Sequence, residues 1–181
     1  SETLMTCGRS DETLGIWGAK PQPAEILQGE SASIYPLSIS PDGALLATGA
    51  WDGRARIWEV GSGRLIAALP HKGYGDSIAF APDGRTLTVG SSRGGLFVWD
   101  TRSGAALTQL PDVRTVAIGY SPDGSRLAVG QTARIRILDA ATLAGRLEIE
   151  IGVGKLSTLA WSGDGRLLAS GTNGADLFLW D

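Results

Sequence analysis

"LSISPDGALLATGAWDGRARIWEV" occupies residues 37–60, and its reading decides the fold. It holds a Pro-Asp-Gly turn, an apolar run, a second polar turn, and a tryptophan followed by an acid. A shorter form returns as "FAPDGRTLTVGSSRGGLFVWD" at 80–100, blurred as "YSPDGSRLAVGQTARIRILD" at 120–139, and as "WSGDGRLLASGTNGADLFLWD" at 161–181. The residue before each Asp-Gly is Pro41, Pro82, Pro122 and then Gly163, at intervals of 41, 40 and 41. The residue closing each unit is Trp17, Trp58, Trp99, Leu138 and Trp180, at intervals of 41, 41, 39 and 42. Two independent anchors give one period, within the ~40–45 residues of one propeller blade.

Inside a unit the signals are those of strands. "DSIAFA" (76–81) is a short apolar run, and Pro82-Asp83-Gly84 turns, with proline fixing φ and glycine supplying φ > 0. "RTLTVGS" (85–91) alternates threonine with apolar residues, the pattern of a half-buried strand. "LFVWD" (96–100) and "AALTQL" (105–110) follow, each after a polar turn. Four strands per unit, with no helix-length pattern, predict an all-β propeller of four-stranded antiparallel blades. Asp42, Asp83, Asp123 and Asp164 are then turn residues rather than catalytic acids. The predicted units are a partial blade 1–29, blades 30–70, 71–111 and 112–152, and a partial blade 153–181, about 4.5 blades in all.

Composition narrows the function classes. The chain has 181 residues and 26 glycines, the glycine level of a protein rich in tight turns. Sixteen basic against 19 acidic residues give −3, too balanced to point to nucleic acid or a membrane surface. Cys7 is the only cysteine, so no internal disulfide is expected, and the expected compartment is the reducing cytoplasm. His71 is the only histidine, with no acidic cluster at metal-ligand spacing, so no metal or cofactor is expected.

Trp99-Asp100 and Trp180-Asp181, softened to Trp58-Glu59 and Leu138-Asp139, together with the Ser-Pro-Asp-Gly turns, resemble the WD-repeat propeller family. The resemblance covers essentially the whole chain. It implies a hydrogen-bonded cluster in a blade, made of a histidine before the first strand, a serine or threonine, an aspartate in the second hairpin, and the tryptophan. The aspartate slot holds Asp11 and Asp52, then Arg93, Thr132 and Gly174. His71 fits the histidine slot of a blade whose aspartate slot is Arg93, so no blade carries the full set. The blade ending at Leu138 also has a one-residue-shorter hairpin at 131–133, and it is expected to be the weakest of the complete blades.

The resemblance implies a non-catalytic scaffold for protein–protein interaction, binding through the loops at one edge of the disc. No nucleophile elbow, phosphate loop or metal constellation suggests an enzyme. The alternatives are a lactonase- or peptidase-type propeller, and a sensor domain of a larger bacterial regulator. Blade register puts Tyr35, Tyr74, Asp76, Arg114 and Lys155 near the start of first strands. Trp51 and Arg93 sit on second hairpins; where Trp51 stands, the other units have Ser10, Ser92 and Asn173. Tyr, Trp and Arg are the types enriched at binding hot spots, which makes these residues candidate partner contacts. The family commonly closes seven blades. The chain is therefore expected to be part of such a ring, and to self-associate or to pair with a chain that supplies the missing blades.

Overall fold

The computed structural model describes strand residues 4–7, 14–17 and 23–27, and then 32–152 and 154–181. Asp11 and Ser10 lie outside the described residues. Trp17 is described only as a position in a strand.

Among the described residues there are eighteen strands in five antiparallel sheets, and no helix. The first sheet joins β1 (Leu4–Cys7), β2 (Leu14–Trp17) and β3 (Pro23–Leu27). The second is β4 (Ile34–Ile39), β5 (Leu45–Ala50), β6 (Arg54–Glu59) and β7 (Leu65–Pro70). The third is β8 (Ser77–Phe80), β9 (Thr86–Ser91), β10 (Gly95–Asp100) and β11 (Ala106–Leu110). The fourth is β12 (Ala117–Tyr120), β13 (Arg126–Gly130), β14 (Arg134–Asp139) and β15 (Gly145–Glu150). The last joins β16 (Leu156–Trp161), β17 (Leu168–Thr172) and β18 (Leu177–Trp180). In each sheet the strands pair in chain order, as consecutive hairpins must.

The first strands β4, β8, β12 and β16 lie side by side in sequence order, so the sheets are blades around one axis. Short polar links tie them: Phe80 N–H donates to Ser38 Oγ at 3.4 Å, and Ile118 N–H to Ser77 Oγ at 3.0 Å. The outer strands β11 and β15 are almost wholly exposed.

The turns follow from the sequence. Gly43, Gly84, Gly124 and Gly165 of the Asp-Gly turns all take φ of 69–73°, a region that costs a Cβ-bearing residue energy. Ser40, Ser121 and Ser162 each donate to the turn aspartate, Asp42, Asp123 or Asp164, at 2.5 Å. The same hydroxyls accept a backbone N–H of the next strand. These bonds favour the carboxylate, and Asp123, which also accepts from Ser125, is held at about 2. In the third sheet Ala81 stands in the serine slot.

The core lies between blades rather than within one. Ala47, Ile57 and Leu69 of the second sheet pack with Leu87, Val89, Phe97 and Trp99 of the third. Leu96 packs with Ile118, Leu127, Val129 and Leu138 of the fourth. This corrects one sequence reading. β9 is not half-buried: Leu87, Thr88, Val89 and Ser91 are all fully enclosed. Its threonine alternation marks a second packed face, because the next blade covers the side that would meet water in an isolated sheet. Thr88 uses its hydroxyl there, 2.6 Å from the Tyr120 hydroxyl of the neighbouring blade.

Candidate functional site

The edge that carries the hairpins between second and third strands also carries the links from one blade's last strand to the next blade's first. Backbone bonds lock these two sets together. His71 N–H donates to Gly53 O at 2.8 Å, Thr115 N–H to Ser91 O at 3.1 Å, and Leu156 N–H to Thr132 O at 3.0 Å. Each link is thus hooked onto the hairpin of the preceding blade. Within the third blade the approach is so close that a Cβ on Gly94 would lie 1.6 Å from Lys72 O. Side chains on this edge are therefore presented from a fixed backbone.

Trp51, Tyr74 and Arg93 meet there. The Trp51 and Tyr74 rings are 5.2 Å apart and tilted by 33°. The Arg93 guanidinium lies 4.7 Å over the Tyr74 ring and donates to its hydroxyl at 3.3 Å. Trp51 and Tyr74 come from adjacent blades, so the stack bridges a blade boundary. Cation–π and offset aromatic contacts of this kind add roughly 0.5–1.5 kcal/mol each beyond area burial. Trp51 remains 48% exposed and Tyr35 61%. Both line a recess of about 380 Å³ at the axis, with Asp76 from the third blade and Leu156 and Asn173 from the last. Asp76 is partly committed: its Oδ2 accepts from Ser92 N–H and Oγ, both at 2.7 Å, and so pins the hairpin that carries Arg93. Arg114 and Lys155 are exposed on the corresponding links of the next two blades. The stack therefore unites three of the seven candidate contacts, the recess joins Tyr35, Trp51 and Asp76, and Arg114 and Lys155 stand apart on the same edge.

The residues at the cluster positions make the following contacts. Trp58 Nε1 donates to Thr48 Oγ1 at 3.1 Å, and Trp180 Nε1 to Ser170 Oγ at 2.9 Å. Asp52 pairs with the buried Arg56 at 2.6 Å in its own hairpin. His71 is buried, with its ring 5.8 Å from Phe97, and neither ring nitrogen has a hydrogen-bond partner. Burial pushes its pKa down; nearby peptide groups of Lys72 and Arg54 and the carboxylates of Asp52 and Asp76 pull the other way and are outweighed. Trp99 Nε1 is likewise buried without a partner. Asp100 caps the turn after its strand, accepting from Ser103 N–H and Oγ at 2.7 Å. Asp181 is exposed beside Trp180 and lines a crevice of about 200 Å³ with Arg126 and Trp161. Two contacts had no sequence signal: the Thr88–Tyr120 bond and Arg126, which lies 4.6 Å over the Trp161 ring. Both pair residues of adjacent blades, 32 and 35 positions apart, which a strand-by-strand reading treats separately. Among the described residues, no three His, Cys, Asp or Glu side chains converge as a metal site would require.

Comparison with known proteins agrees with this geometry. A stretch of 41 residues is 56% identical to the ribosome biogenesis protein ERB1 of Debaryomyces hansenii, covering 23% of this chain and 5% of that protein. A stretch of 65 residues is 37% identical to apoptotic protease-activating factor 1 of Rattus norvegicus, covering 35% of this chain and 5% of that protein. The chain thus matches about a twentieth of the length of each of these relatives. The sequence profile of the WD domain, G-beta repeat, matches residues 22–59, 71–100 and 152–181, more than half of the chain. With repeated Trp-Asp closures on antiparallel blades around one axis, the chain belongs to the WD domain, G-beta repeat family.

Proposed function

We propose that this chain is a non-catalytic protein–protein interaction scaffold and that it binds through the edge carrying Trp51, Tyr74 and Arg93. The observation that carries the reading is the stack itself: two aromatic rings and a guanidinium, drawn from two blades, held on fixed hairpins and left facing solvent. Rigid aromatics lose little side-chain entropy on binding, and Trp, Tyr and Arg dominate hot spots for that reason. WD-domain proteins generally bind other proteins, which supports the assignment.

The test is affinity capture from cells of the source organism with the wild-type chain, Trp51→Ala and Tyr74→Ala, followed by quantitative mass spectrometry. Partners captured by the wild type should fall away with either variant, by the equivalent of about 1–3 kcal/mol per hot-spot residue. Melting temperature should fall by no more than the few degrees that losing the stack's own contacts costs, more in Tyr74→Ala, which loses both, than in Trp51→Ala. Unchanged capture with lowered stability in both variants would make the stack packing alone and would overturn the reading.

A further inference from the structure

Near the edge that carries the Asp-Gly turns, the first residue of each second strand faces the residue that ends the next blade's first strand. Between the second and third blades, Leu45 packs against the cluster that holds Phe80. Between the fourth and fifth, Arg126 lies 4.6 Å over the Trp161 ring and donates to Gly165 O at 2.6 Å. Between the third and fourth the same two positions are Thr86 and Tyr120, and the short threonine leaves a recess of about 330 Å³. The polar groups there are short of partners for related reasons. Gly84 O accepts from Thr101 Oγ1 at 2.8 Å, and Gly165 O from Arg126. Their counterpart Gly124 O accepts no hydrogen bond among the described residues, because Ala140 takes the place of Thr101 and Thr86 that of Arg126. Asp42, Asp123 and Asp164 each accept from a turn serine, whereas Asp83 has Ala81 in that slot and accepts only from Arg85 N–H, at 2.9 Å. Asp83 and Asp123 are the charged groups that line the recess; Arg85 and Arg102 are exposed on the neighbouring turns.

We infer that this recess receives an arginine side chain of a partner protein, its guanidinium against the Tyr120 ring and bonded to Gly124 O and the Asp83 carboxylate. Arg126 is the template. One blade further on, the chain fills the equivalent space with its own guanidinium, against an aromatic ring and a glycine carbonyl at the same two positions. The turns sit alike: a Cβ on Gly165 would lie 3.4 Å from Pro122 Cδ, and one on Gly124 3.7 Å from Pro82 Cδ. Asp123, the counterpart of Asp83, is held low by its Ser121 and Ser125 donors and, more weakly, by Arg126. A guanidinium suits the recess better than an ammonium. It is planar, stacks on a ring, and still offers N–H groups in a fork to one carboxylate. The site lies on the edge opposite the Trp51–Tyr74–Arg93 stack, and the inference does not rest on that stack.

The experiment titrates the isotope-labelled 181-residue chain with N-acetylarginine methylamide, and separately with the lysine analogue, followed by amide-resolved NMR. The expected result is saturable shift changes at the amides of residues 83–86 and 124–126, with a dissociation constant on the order of millimolar, as one side chain allows. The lysine analogue should bind several-fold more weakly. Asp83→Asn should weaken binding of the arginine analogue about tenfold. Thr86→Arg should close the recess from within, as Arg126 closes the next one, and abolish the shifts. Asp42→Asn, in the equivalent turn of the junction that Leu45 fills, should leave them unchanged. Circular dichroism melting establishes that each variant is folded; if Thr86→Arg does not fold, Asp83→Asn decides. No saturable shifts at these amides, equal affinity for the lysine analogue, or unchanged binding in folded Thr86→Arg or in Asp83→Asn would each overturn the inference. So would sedimentation in which Asp83→Asn disperses a self-assembled species, since the occupant would then be an arginine of a second copy.

Discussion

Trp99 and Val89 form an unsatisfied version of a pair that two other blades complete. The position two residues beyond the tryptophan's cross-strand partner is Thr48 beyond Leu46, Ser170 beyond Leu168, and Val89 beyond Leu87. Thr48 and Ser170 accept the indole N–H; Val89 cannot, and Trp99 Nε1 stays buried without an acceptor. Val89→Thr nearly preserves shape and supplies the hydroxyl. It is expected to raise stability by about 1 kcal/mol in urea unfolding, the net worth of a satisfied hydrogen bond. Thr48→Val should cost about 1–2 kcal/mol, because it orphans the Trp58 donor as well. Loss of stability in Val89→Thr would mean that the hydroxyl cannot reach the indole.

Tyr120 offers a second test, at alkaline pH. Its hydroxyl is buried against Thr88 of the neighbouring blade, and burial raises its pKa above the ordinary 10. The folded state therefore holds this proton more tightly than the unfolded state does. The resulting stability is fully present below pH 10 and is lost as pH rises through the higher folded value. Tyr120→Phe should lower stability at neutral pH by about 1 kcal/mol through the lost bond. It should also flatten the decline above pH 10. An equally steep alkaline decline in Tyr120→Phe would remove Tyr120 from the explanation.

Much of this architecture is legible in the repeat. The Asp-Gly turns and the closing tryptophans set strand lengths directly, because a hairpin leaves little freedom between fixed turns. The short hairpin is real: Gly130 pairs with Ile135 through a single-residue-shorter turn than that joining Gly90 and Leu96. What the repeat conceals is contact between blades. Thr88 reads as a solvent-facing residue until the neighbouring sheet is placed over it, and Tyr120 reads as the end of a strand. Trp51 and Tyr74 were both legible as exposed aromatics on one edge. Their mutual contact was not, because it depends on how far the link at 71–76 leans over the preceding hairpin.

Mild acid should expose His71. Its burial lowers the folded pKa below 6.5, so the unfolded chain binds the proton first as pH falls. Stability is then fully present above pH 6.5 and declines below it, toward the depressed folded value. The turn carboxylates act in a lower window. Asp123, held at about 2, contributes stability that is lost only as pH falls from its ordinary 3.8 through that value. Stability measured against pH should thus fall in two separate stages. His71→Gln, which cannot titrate, should abolish the first and spare the second. A first stage that survives in His71→Gln would place its origin elsewhere.

The order in which blades open is the remaining test. The tryptophan missing at Leu138 made the fourth blade the expected weak point, yet its packing is complete. Leu127, Val129, Ile135 and Leu138 are all 0% exposed, and both members of the tryptophan–threonine pair are replaced by apolar residues, Leu138 and Val129. No buried side-chain nitrogen or oxygen is left without a partner there among the described residues. The third blade holds both orphaned groups, His71 and Trp99. Local opening hydrates an orphaned donor, which returns roughly 1–3 kcal/mol and so lowers the free energy of opening. Amides of Leu87–Trp99 are therefore expected to exchange before those of Leu127–Leu138 in native-state hydrogen exchange. Val89→Thr should slow exchange in the first segment and leave the second alone. Earlier exchange of Leu127–Leu138 would show that the large apolar surface of Trp99 outweighs its unpaired nitrogen.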